Sequence, residues 1–518
     1  MISNIAKSTI FQRIWSSASN APTKKIIYDQ DRDWTWSELL WRAQAYADAL
    51  ECVPVTSIHT PIVPILVNRK GETVAAILGA LIAGRGFAPM SVQQPITRIA
   101  YCLNALGAMS IVNPEGVEYW NGAEAEKPHQ VSVRENMDVK GLPLQPIEAS
   151  QEKVLYVLFT SGSTGEPKGV MASYGNIENT MLWSQDMLTW SQSDVIGCCT
   201  NFFFDISMFD VFSSLYFNIP IAIYSQPAEL EKVVSETAQF KITSVFGVPT
   251  FFSQILRMGM LGDSRLSSLR RIVSGGDFFP PAHIVGWLEA RPDIDIFNVW
   301  GPTETSIVNT MHRVTTKDLP ALRLGRSAPV GKMHERMSFC LIDGDGSVLR
   351  LPNQRGEICM LGECVTQGYL GDTERTTYAY IEIDGMRAFR TQDLGYVDEA
   401  GNLFIVGRMG STVKVAGYRI DFGEVESAAV ALTDVHLACS VVYEGRPDYG
   451  YRELWLAVEP KNSEAKLDIY SIKKKLRAVL PLYMVPKRIF VFSNLPRNPN
   501  GKIDRKAVLK LALTQIEL

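Results

Sequence analysis

The sequence has little that could bind a metal ion through histidine or cysteine. It contains six histidines and eight cysteines, and no two cysteines form a C-x-x-C motif, so metal-ligand spacing is absent. We interpret the cysteines as buried reduced thiols, which predicts a cytoplasmic protein. A long apolar run is also lacking. The longest, residues 74–83, is interrupted by Gly79 and is too short to cross a bilayer, so it predicts a buried helix.

An excess of charge of one sign is lacking as well. The chain carries 51 Lys and Arg against 55 Asp and Glu, a formal net charge of −4, which gives no electrostatic reason to expect nucleic acid or an anionic membrane as partner. Basic side chains interrupt the first thirty residues, which therefore form no apolar signal core. With 46% hydrophobic and 20% charged residues, the composition is typical of a folded globular protein, and small-molecule partners are expected.

Strand-like apolar runs that alternate with helical patterns indicate the fold class. Between residues 154 and 404 the predicted strands are 154–159, 221–224, 244–247, 271–273 and 296–300. This alternation predicts an α/β protein whose large N-terminal domain, residues 1–408, has several subdomains of sheets flanked by helices. Residues 409–518 predict a small, mobile α+β C-terminal domain. The boundary is expected near Gly410, where the backbone is permissive.

Residues 158–170 form the strongest single motif, Leu-Phe-Thr-Ser-Gly-Ser-Thr-Gly-Glu-Pro-Lys-Gly-Val. Its glycines let the backbone close around an anion. Hydroxyl groups of Ser161, Ser163 and Thr164 can donate hydrogen bonds, and a lysine adds positive charge. The motif therefore predicts a phosphate-binding loop. It is not a Walker A motif, because Pro167 stands where that motif has glycine.

This loop resembles the core signature of the adenylate-forming superfamily, which contains acyl-CoA synthetases, luciferases and the adenylation domains of nonribosomal peptide synthetases. Further segments resemble the other family motifs in the same order along almost the whole chain. The resemblance implies an α/β enzyme that uses ATP and Mg²⁺. It also implies the residues that bind the nucleotide: Thr160, Ser161, Gly162, Ser163, Thr164, Lys168, Gly275, Gly276, Asn298, Val299, Trp300, Gly301, Asp393 and Arg408.

Residues 298–305, Asn-Val-Trp-Gly-Pro-Thr-Glu-Thr, resemble the second nucleotide motif of the family. By this resemblance Asn298 holds the adenine and Trp300 stacks on it. Thr303 contacts the α-phosphate and Glu304 binds Mg²⁺. Physical chemistry agrees, since an exposed aromatic ring offers a stacking face and a carboxylate beside a phosphate is tolerable only with a cation between them.

Residues 390–395 resemble the segment whose aspartate, here Asp393, accepts hydrogen bonds from both ribose hydroxyls. The family usually has glycine at the position of Gln392. Arg408 resembles the residue near the ribose and phosphate at the start of the hinge motif. Gly410 occupies the pivot position, where many relatives have aspartate or lysine, and a glycine there can absorb a large change of backbone angles.

Two segments beyond the pivot resemble the family's thiol-transfer loop and its catalytic-lysine motif. In the family, these two segments occupy the active site in turn. Residues 414–426 resemble the loop that faces the pantetheine channel during thiol transfer and contain Lys414, Gly417, Tyr418 and Arg419. Residues 498–505 resemble the terminal motif, whose catalytic lysine is here Lys502, delivered by an Asn-Gly turn. The resemblance implies that Lys502 and Mg²⁺ neutralise the reacting carboxylate and phosphate during adenylation. The small domain then rotates for thiol transfer.

Asp205 indicates the branch of the family. Residues 202–207, Phe-Phe-Phe-Asp-Ile-Ser, resemble the amino-acid-activating branch, in which the aspartate pairs with the α-ammonium group of the substrate. A buried carboxylate needs a cation, which the substrate would supply. The alternative interpretation is a carboxylate at the N-terminus of a helix.

The pocket for the substrate side chain is apolar by the same resemblance. Besides Asp205 and Lys502, which contact the amino and carboxylate groups, its residues are Ile206, Phe209, Phe246, Val273, Gly275, Val299, Ile307 and Val308. A polar substrate group would be buried there without a partner. The pocket therefore favours an aliphatic side chain, with branched isoleucine or valine first, while proline, leucine or a small aromatic remain open.

Few residues follow Arg505, which leaves no room for a carrier domain. The expected acceptor is therefore the phosphopantetheine thiol of a separate carrier protein. The sequence thus predicts a stand-alone amino-acid adenylating ligase in nonribosomal peptide or related natural-product biosynthesis. An acyl- or aryl-CoA ligase that uses coenzyme A is the alternative enzyme, and an inactive nucleotide-binding relative is the alternative that is not an enzyme.

Overall fold

The computed structural model describes residues 9–53, 61–120, 127–133, 149–160, 166–334, 336–409, 412–432, 434–445, 452–461, 467–497 and 503–516. The helices are α1 Ile10–Asn20, α2 Trp36–Glu51, α3 Gly71–Ile82, α4 Ile96–Leu106, α5 Tyr174–Leu188, α6 Asp205–Phe217, α7 Leu230–Phe240, α8 Pro249–Arg257, α9 Pro281–Ala290, α10 Leu319–Arg323, α11 Thr373–Ala379, α12 Phe422–Val430, α13 Ile469–Val479 and α14 Arg505–Thr514. The strands are β1 Lys25–Tyr28, β2 Asp33–Thr35, β3 Ile62–Val67, β4 Gly86–Ser91, β5 Ser110–Val112, β6 His129–Val131, β7 Val154–Thr160, β8 Lys168–Ser173, β9 Ile196–Cys198, β10 Ile221–Ile223, β11 Ser244–Gly247, β12 Arg271–Ser274, β13 Asp295–Trp300, β14 Thr310–Val314, β15 Lys332–Met333, β16 Met337–Ile342, β17 Val348–Leu349, β18 Gly356–Gly362, β19 Tyr380–Ile383, β20 Met386–Val397, β21 Leu403–Arg408, β22 Thr412–Val415, β23 Tyr418–Asp421, β24 Val435–Tyr443, β25 Glu453–Pro460 and β26 Arg488–Val491.

The first sheet has the strand order β6-β5-β3-β4-β7-β8. Its pairs are parallel except β7 and β8, which run antiparallel. Strands β3 and β4 are buried along their whole length, as expected for parallel strands inside a mixed α/β fold. Because β7 ends at Thr160 and β8 begins at Lys168, the predicted phosphate loop joins these two strands.

The second sheet has the strand order β15-β14-β13-β12-β11-β9-β10-β1-β2. Its central strands, from β10 to β13, are parallel. The carboxyl ends of parallel strands meet at one edge of a sheet, where α/β proteins bind their ligands. The segments that follow β9, β12 and β13 contain Asp205, Gly275 and Glu304, so the topology brings these three residues to the same edge.

The third sheet is antiparallel, with the order β17-β16-β18-β20-β19 and with β21 paired to β20. In this last pair Asp393 lies directly opposite Arg408. Two residues that are distant in the sequence are therefore neighbours by strand register alone.

The C-terminal part consists of the β22–β23 hairpin, the sheet β24-β25-β26 and helices α12 to α14. It has its own hydrophobic clusters, centred on residues such as Val425, Leu456 and Trp455. The predicted domain limits of 1–408 and 409–518 stay predictions, and Gly410 lies outside the described residues.

The predicted fold class is confirmed, since a large part of helix-flanked sheets precedes a small α+β part. Residues 74–83 lie within the buried helix α3 and the residue after it. None of the helices in the described ranges combines the length and the apolar character needed to span a bilayer. All eight cysteines are free thiols, and most are buried, although Cys52 is exposed and Cys340 is partly exposed. The cytoplasmic location stays a prediction.

Candidate active site

Two adjoining cavities lie at the carboxyl edge of the second sheet. We call the cavity lined by Thr160, Asp205 and Phe246 the inner cavity and the cavity lined by Asn298, Asp393 and Val406 the outer cavity. The two cavities share five lining residues: Gly276, Val299, Trp300, Arg408 and Lys414. A ligand that is too long for one cavity can therefore extend past these residues into the other.

Glu304 is the charged centre of the site and is fully buried. Arg419 Nη1 donates hydrogen bonds of 2.8 and 3.1 Å to its two carboxylate oxygens, and Tyr369 Oη donates one of 2.9 Å. Burial alone would raise the pKa of Glu304, but the charges of Arg419 and then Lys168 outweigh it and hold the pKa at about 2. The carboxylate is thus ionised, and its cationic partners come from two distant parts of the chain.

Lys168 and Thr160 flank the predicted phosphate loop. Burial, followed by the charge of Arg419, lowers the pKa of Lys168 to about 8, and the ammonium lies 4.8 Å from the centre of the Tyr369 ring. Thr160 lines the inner cavity, and its buried Oγ1 has no hydrogen-bond partner among the described residues. An unsatisfied buried hydroxyl beside a cation suits an anionic ligand. The loop residues Ser161, Gly162, Ser163 and Thr164 lie outside the described residues.

Asp393 is held between an indole and a guanidinium. Trp300 Nε1 donates to its Oδ2 at 3.0 Å and Arg408 Nη1 donates to its Oδ1 at 2.8 Å. Asn298 lines the outer cavity with Trp300 and Asp393, and its Nδ2 donates to the carbonyl of Pro329 at 2.9 Å. Asn298, Trp300 and Asp393 thus line one cavity, and their roles in binding a nucleotide stay predictions.

Trp300 differs from its prediction in one respect. The sequence motif predicts an exposed ring, but the side chain is only 6% exposed. The reason is the hydrogen bond to Asp393, which draws the indole against the third sheet. The part of the ring that remains accessible faces both cavities, so a stacking role stays a prediction.

Gln392 occupies the position where the family usually has glycine, and its backbone shows why. Its φ is +60°, in the left-handed region that glycine adopts without steric cost. The conformation is held by two backbone hydrogen bonds, from Gln392 N to Glu357 Oε1 at 3.0 Å and from Met409 N to Gln392 O at 2.6 Å. Gln392 therefore holds a backbone conformation that glycine would adopt without strain.

Replacing Gln392 with glycine should relieve this strain. Gln392→Gly is expected to raise the free energy of unfolding by about 0.5–1 kcal/mol, since both hydrogen bonds are made by the backbone and persist. Chemical denaturation followed by circular dichroism measures the change. Asn353→Gly is the matched control at φ +63°; its gain should be smaller, because asparagine tolerates this region. An unchanged or lower stability of Gln392→Gly would contradict the account.

Asp205 is the first residue of α6 and lines the inner cavity. Its Oδ2 accepts a 2.6 Å hydrogen bond from Thr303 Oγ1, and its Oδ1 accepts one from the backbone N–H of Ile206 at 2.9 Å. Burial raises the pKa of Asp205, which the Thr303 hydrogen bond and the charge of Lys414 oppose. Both interpretations of Asp205 thus fit its position, since it lies at a helix N-terminus and also faces a cavity.

Five of the predicted side-chain pocket residues line the inner cavity: Ile206, Phe246, Val299, Ile307 and Val308. Phe209 lies behind Phe246, in an edge-to-face contact with ring centres 5.3 Å apart, and Val273 pairs with Phe246 in the sheet. Gly275 lies so close to this wall that an added Cβ would stand 2.6 Å from Val299. The role of these apolar residues as the substrate side-chain pocket stays a prediction.

A strained turn delivers Ile307 and Val308 to the inner cavity. Ser306 and Ile307 have φ values of +65° and +78°, which is unusual for a β-branched residue. Gly301 makes the turn possible, because a Cβ there would lie 2.5 Å from the Ile307 carbonyl oxygen. Strain of this kind persists where the surrounding structure imposes it, commonly at a binding site.

The loop from Lys414 to Arg419 enters the site from the C-terminal part of the chain. Lys414 faces both cavities, and burial lowers the pKa of its ammonium. Gly417, with φ +82°, lies against Val248, where a Cβ would be only 2.1 Å from Cγ1. Tyr418 packs edge-on against Phe204 with ring centres 4.7 Å apart. The loop predicted to serve thiol transfer therefore contacts the cavity wall, and only a glycine at position 417 allows this approach.

Comparison with known proteins agrees with this geometry. The family model for AMP-binding enzymes matches residues 14–370, and the model for the AMP-binding enzyme C-terminal domain matches residues 424–502. The chain belongs to the AMP-binding enzyme family.

Three similar proteins place this AMP-binding enzyme among known relatives. The D-alanine–D-alanyl carrier protein ligase of Bacillus cereus (strain G9842) is 28% identical over 497 residues, 94% of each chain. Delta-poly-L-ornithine synthetase of Acinetobacter baumannii (strain AB307-0294) is 28% identical over 96% of this chain. This chain spans only 36% of that relative. The solved structure of holo-PA1221, an NRPS protein with adenylation and PCP domains bound to a vinylsulfonamide inhibitor, has a TM-score of 0.82. It is 23% identical and covers 98% of this chain and 85% of its own, which shows the shared fold.

The side chains at the site of this AMP-binding enzyme have the chemical groups that a magnesium nucleotide requires. Lys168 and the orphaned Thr160 hydroxyl offer a cation and a donor for phosphate. The described residues contain no group of three or more histidine, cysteine, aspartate or glutamate side chains placed to hold a metal ion. Magnesium commonly uses one or two carboxylates together with substrate phosphates and water, so the single carboxylate of Glu304 is sufficient. Lys502 lies outside the described residues.

Three residues at the site were not predicted from the sequence. Tyr369 donates to Glu304, Tyr483 lines the inner cavity, and Asp277 accepts a 3.3 Å hydrogen bond from Arg452. Tyr369 and Tyr483 both lie in segments that weakly resemble family motifs, and that was the available signal. Asp277 directly follows Gly275 and Gly276, which the family resemblance assigns to nucleotide binding.

Proposed function

We propose that this chain activates an amino acid with ATP, releasing pyrophosphate, and transfers the aminoacyl group to the phosphopantetheine thiol of a carrier protein. The observation that carries the proposal is the Asp205 carboxylate, which lines the inner cavity together with the predicted side-chain pocket residues. Among the described residues, its hydrogen-bond donors are Thr303 and the backbone N–H of Ile206. An α-ammonium group would supply a cation in direct contact with Asp205, whereas a fatty or aryl acid would not.

ATP would lie across the two cavities. Asn298, Trp300 and Asp393 would hold the adenosine in the outer cavity, while Lys168 and Thr303 would contact the phosphates in the inner one. Mg²⁺ at Glu304 would neutralise phosphate charge. Lys502 would stabilise the negative charge that develops as the substrate carboxylate attacks the α-phosphorus. Neutralisation is required because the carboxylate and the triphosphate repel each other.

Arg419 supports an alternation between two steps. Its guanidinium occupies both oxygens of Glu304 in this structure, where Mg²⁺ would bind during adenylation. The described arrangement therefore suits the second step, in which the loop from Lys414 to Arg419 faces the adenylate and a thiolate attacks its acyl carbon. Rotation at Gly410 would exchange this loop for Lys502. We place this activity in nonribosomal peptide or related natural-product biosynthesis.

The acceptor is proposed to be a carrier protein in preference to coenzyme A. The D-alanyl carrier protein ligase relative matches along 94% of both chains, and the ammonium ligand Asp205 has no role for an acyl- or aryl-CoA ligase. A separately expressed, phosphopantetheinylated carrier protein and coenzyme A should be compared as acceptors. Aminoacyl thioester formation on the carrier is the expected result, and turnover with coenzyme A alone would favour the alternative.

Exchange of labelled pyrophosphate into ATP across a panel of amino acids tests the first step. Branched aliphatic amino acids, isoleucine or valine first, are expected to support the fastest exchange because the pocket wall is apolar. Exchange with simple carboxylic acids and not with amino acids would favour the CoA ligase. No exchange with any acid would favour an inactive nucleotide-binding relative.

Gly275→Ala should narrow the pocket. The new Cβ would stand 2.6 Å from Val299 Cγ2 and 3.2 Å from Phe246 Cε2, so the wall must shift into the cavity. We expect kcat/KM for valine to fall about tenfold more than kcat/KM for alanine, since one or two methyl groups are worth about 1–3 kcal/mol. Exchange kinetics measure the ratio. Gly262→Ala, where an added Cβ meets nothing within 4 Å, is the control and should leave the ratio unchanged.

A further inference from the structure

An ion pair joins the large part of the molecule to the small C-terminal part, away from the residues assigned to ATP or substrate. Arg98 lies on α4 and Glu424 on α12. Arg98 Nη1 donates a hydrogen bond to Glu424 Oε1, and the two side chains are only 5% and 3% exposed. Two opposite charges that are remote in sequence are therefore buried together at the contact between the two parts.

The pair is continuous with the wall of the inner cavity. Tyr483, which lines that cavity, interacts electrostatically with Arg98. The Tyr483 ring stacks on Tyr418 with ring centres 4.2 Å apart, and Tyr418 in turn contacts Phe204, the residue before Asp205. Formation of the pair therefore accompanies placement of Tyr418 against the substrate site.

The energetics of the Arg98–Glu424 ion pair suit a contact that can form and separate. When Arg98 and Glu424 separate, neither charge can remain buried without a partner at acceptable cost. The pair is also incompletely satisfied, since Arg98 Nε and Nη2 are buried without hydrogen-bond partners among the described residues. A buried pair with unmet hydrogen bonds contributes little net stability, which suits a contact that must form and break in each cycle.

We propose that Arg98 and Glu424 are positioning residues for the thiol-transfer step, a latch that holds the loop from Lys414 to Arg419 at the adenylate. This inference rests on the proposed two-step function. In the adenylating arrangement the small part would have turned away, and we expect the latch to be absent there. Its removal should therefore slow transfer and leave adenylation nearly unchanged.

The two half-reactions are measured separately on the full chain. Arg98→Met and Glu424→Gln are each expected to slow aminoacyl transfer to a carrier thiol about tenfold or more, because the remaining buried charge loses its ion-pair partner. Pyrophosphate exchange should stay within about twofold of wild type. The double variant Arg98→Met/Glu424→Leu should recover most of the transfer rate, since an apolar pair can replace a buried ion pair. Equal losses in both half-reactions, or a double variant as slow as the single variants, would overturn the proposal.

Hydrogen exchange supplies a readout independent of activity. In Arg98→Met, peptides that cover α12 and residues 414–420 should exchange faster, whereas those that cover β3 and β4 should not change. Arg42→Met is the matched control, because the Arg42–Glu72 pair is similarly buried but lies wholly in the large part; it should leave the ratio of the two half-reaction rates unchanged. Unchanged exchange at α12 in Arg98→Met would count against the latch. If the wild-type protein performs neither half-reaction, the proposed function is wrong. Hydrogen exchange at α12 would still test whether the Arg98–Glu424 pair holds the small part in place.

Discussion

Lys502→Ala should lower the rate of amino-acid-dependent pyrophosphate exchange about 10³-fold. The substrate carboxylate and the α-phosphate both carry negative charge when they meet, and loss of one preorganised donor at developing charge typically costs about 10²–10³ in rate. Transfer of a preformed aminoacyl adenylate to a carrier thiol should stay within about threefold of wild type, because we assign that step to the loop from Lys414 to Arg419. Single-turnover assays of each half-reaction measure the two rates.

A nearby lysine provides the control for this prediction. Lys506 lies in the first turn of α14 with an exposed side chain, so Lys506→Ala removes one positive charge from the same region without touching the site. Its exchange rate should match wild type. If Lys502→Ala slowed both half-reactions equally, the separation of roles between Lys502 and the transfer loop would be wrong.

Asp205→Asn is expected to lower kcat/KM for the amino acid by about 10²–10³-fold. Removing one partner of a buried charge pair costs about 2–5 kcal/mol, because the other charge is left unpaired, and here that charge is the substrate ammonium. Asparagine keeps the size of the side chain and can still accept the hydrogen bond from Thr303. The variant should therefore lose most of its preference for the amino acid over the des-amino analogue. Pyrophosphate exchange with each of the two acids measures this preference.

A second buried aspartate on helix α6 provides a control that distinguishes substrate recognition by Asp205 from a purely structural role. Asp210 lies in α6, 1% exposed, and does not line the inner cavity. Burial raises its pKa well above the ordinary value, and because Asp210 does not line the substrate cavity, Asp210→Asn should leave the preference for the amino acid unchanged. Equal effects of the two substitutions would assign Asp205 a structural role at the helix N-terminus.

The pH dependence of substrate binding follows from the same carboxylate. Burial raises the pKa of Asp205, and only the ionised form attracts an ammonium group. Affinity for the amino acid should therefore be complete above the raised pKa and be lost as pH falls through it, at a higher pH than for an exposed aspartate. KM for the des-amino analogue should not follow this profile, and Asp205→Asn should abolish it.

Short contiguous motifs made much of this site predictable. The Ser- and Gly-rich loop, residues 298–305 and Asp393 each place chemically distinctive side chains within a few positions of a turn or strand end. Their roles depend on local geometry, which neighbouring residues determine. The alternation of strands and helices likewise predicts that the carboxyl ends of parallel strands meet, which brings Asp205 and Glu304 together.

The sequence by itself determined the family, the α/β fold and the chemical types of the side chains that line the site. Only the tertiary structure decided which of them are partners. The hydrogen bond that buries Trp300 against Asp393 spans 93 residues, that between Arg419 and Glu304 spans 115, and that between Arg98 and Glu424 spans 326. No local pattern encodes such pairs, because they arise from the packing of separate sheets and of the C-terminal part against them. A charged residue in a sequence shows what it can bind, whereas its burial and its partner depend on the fold.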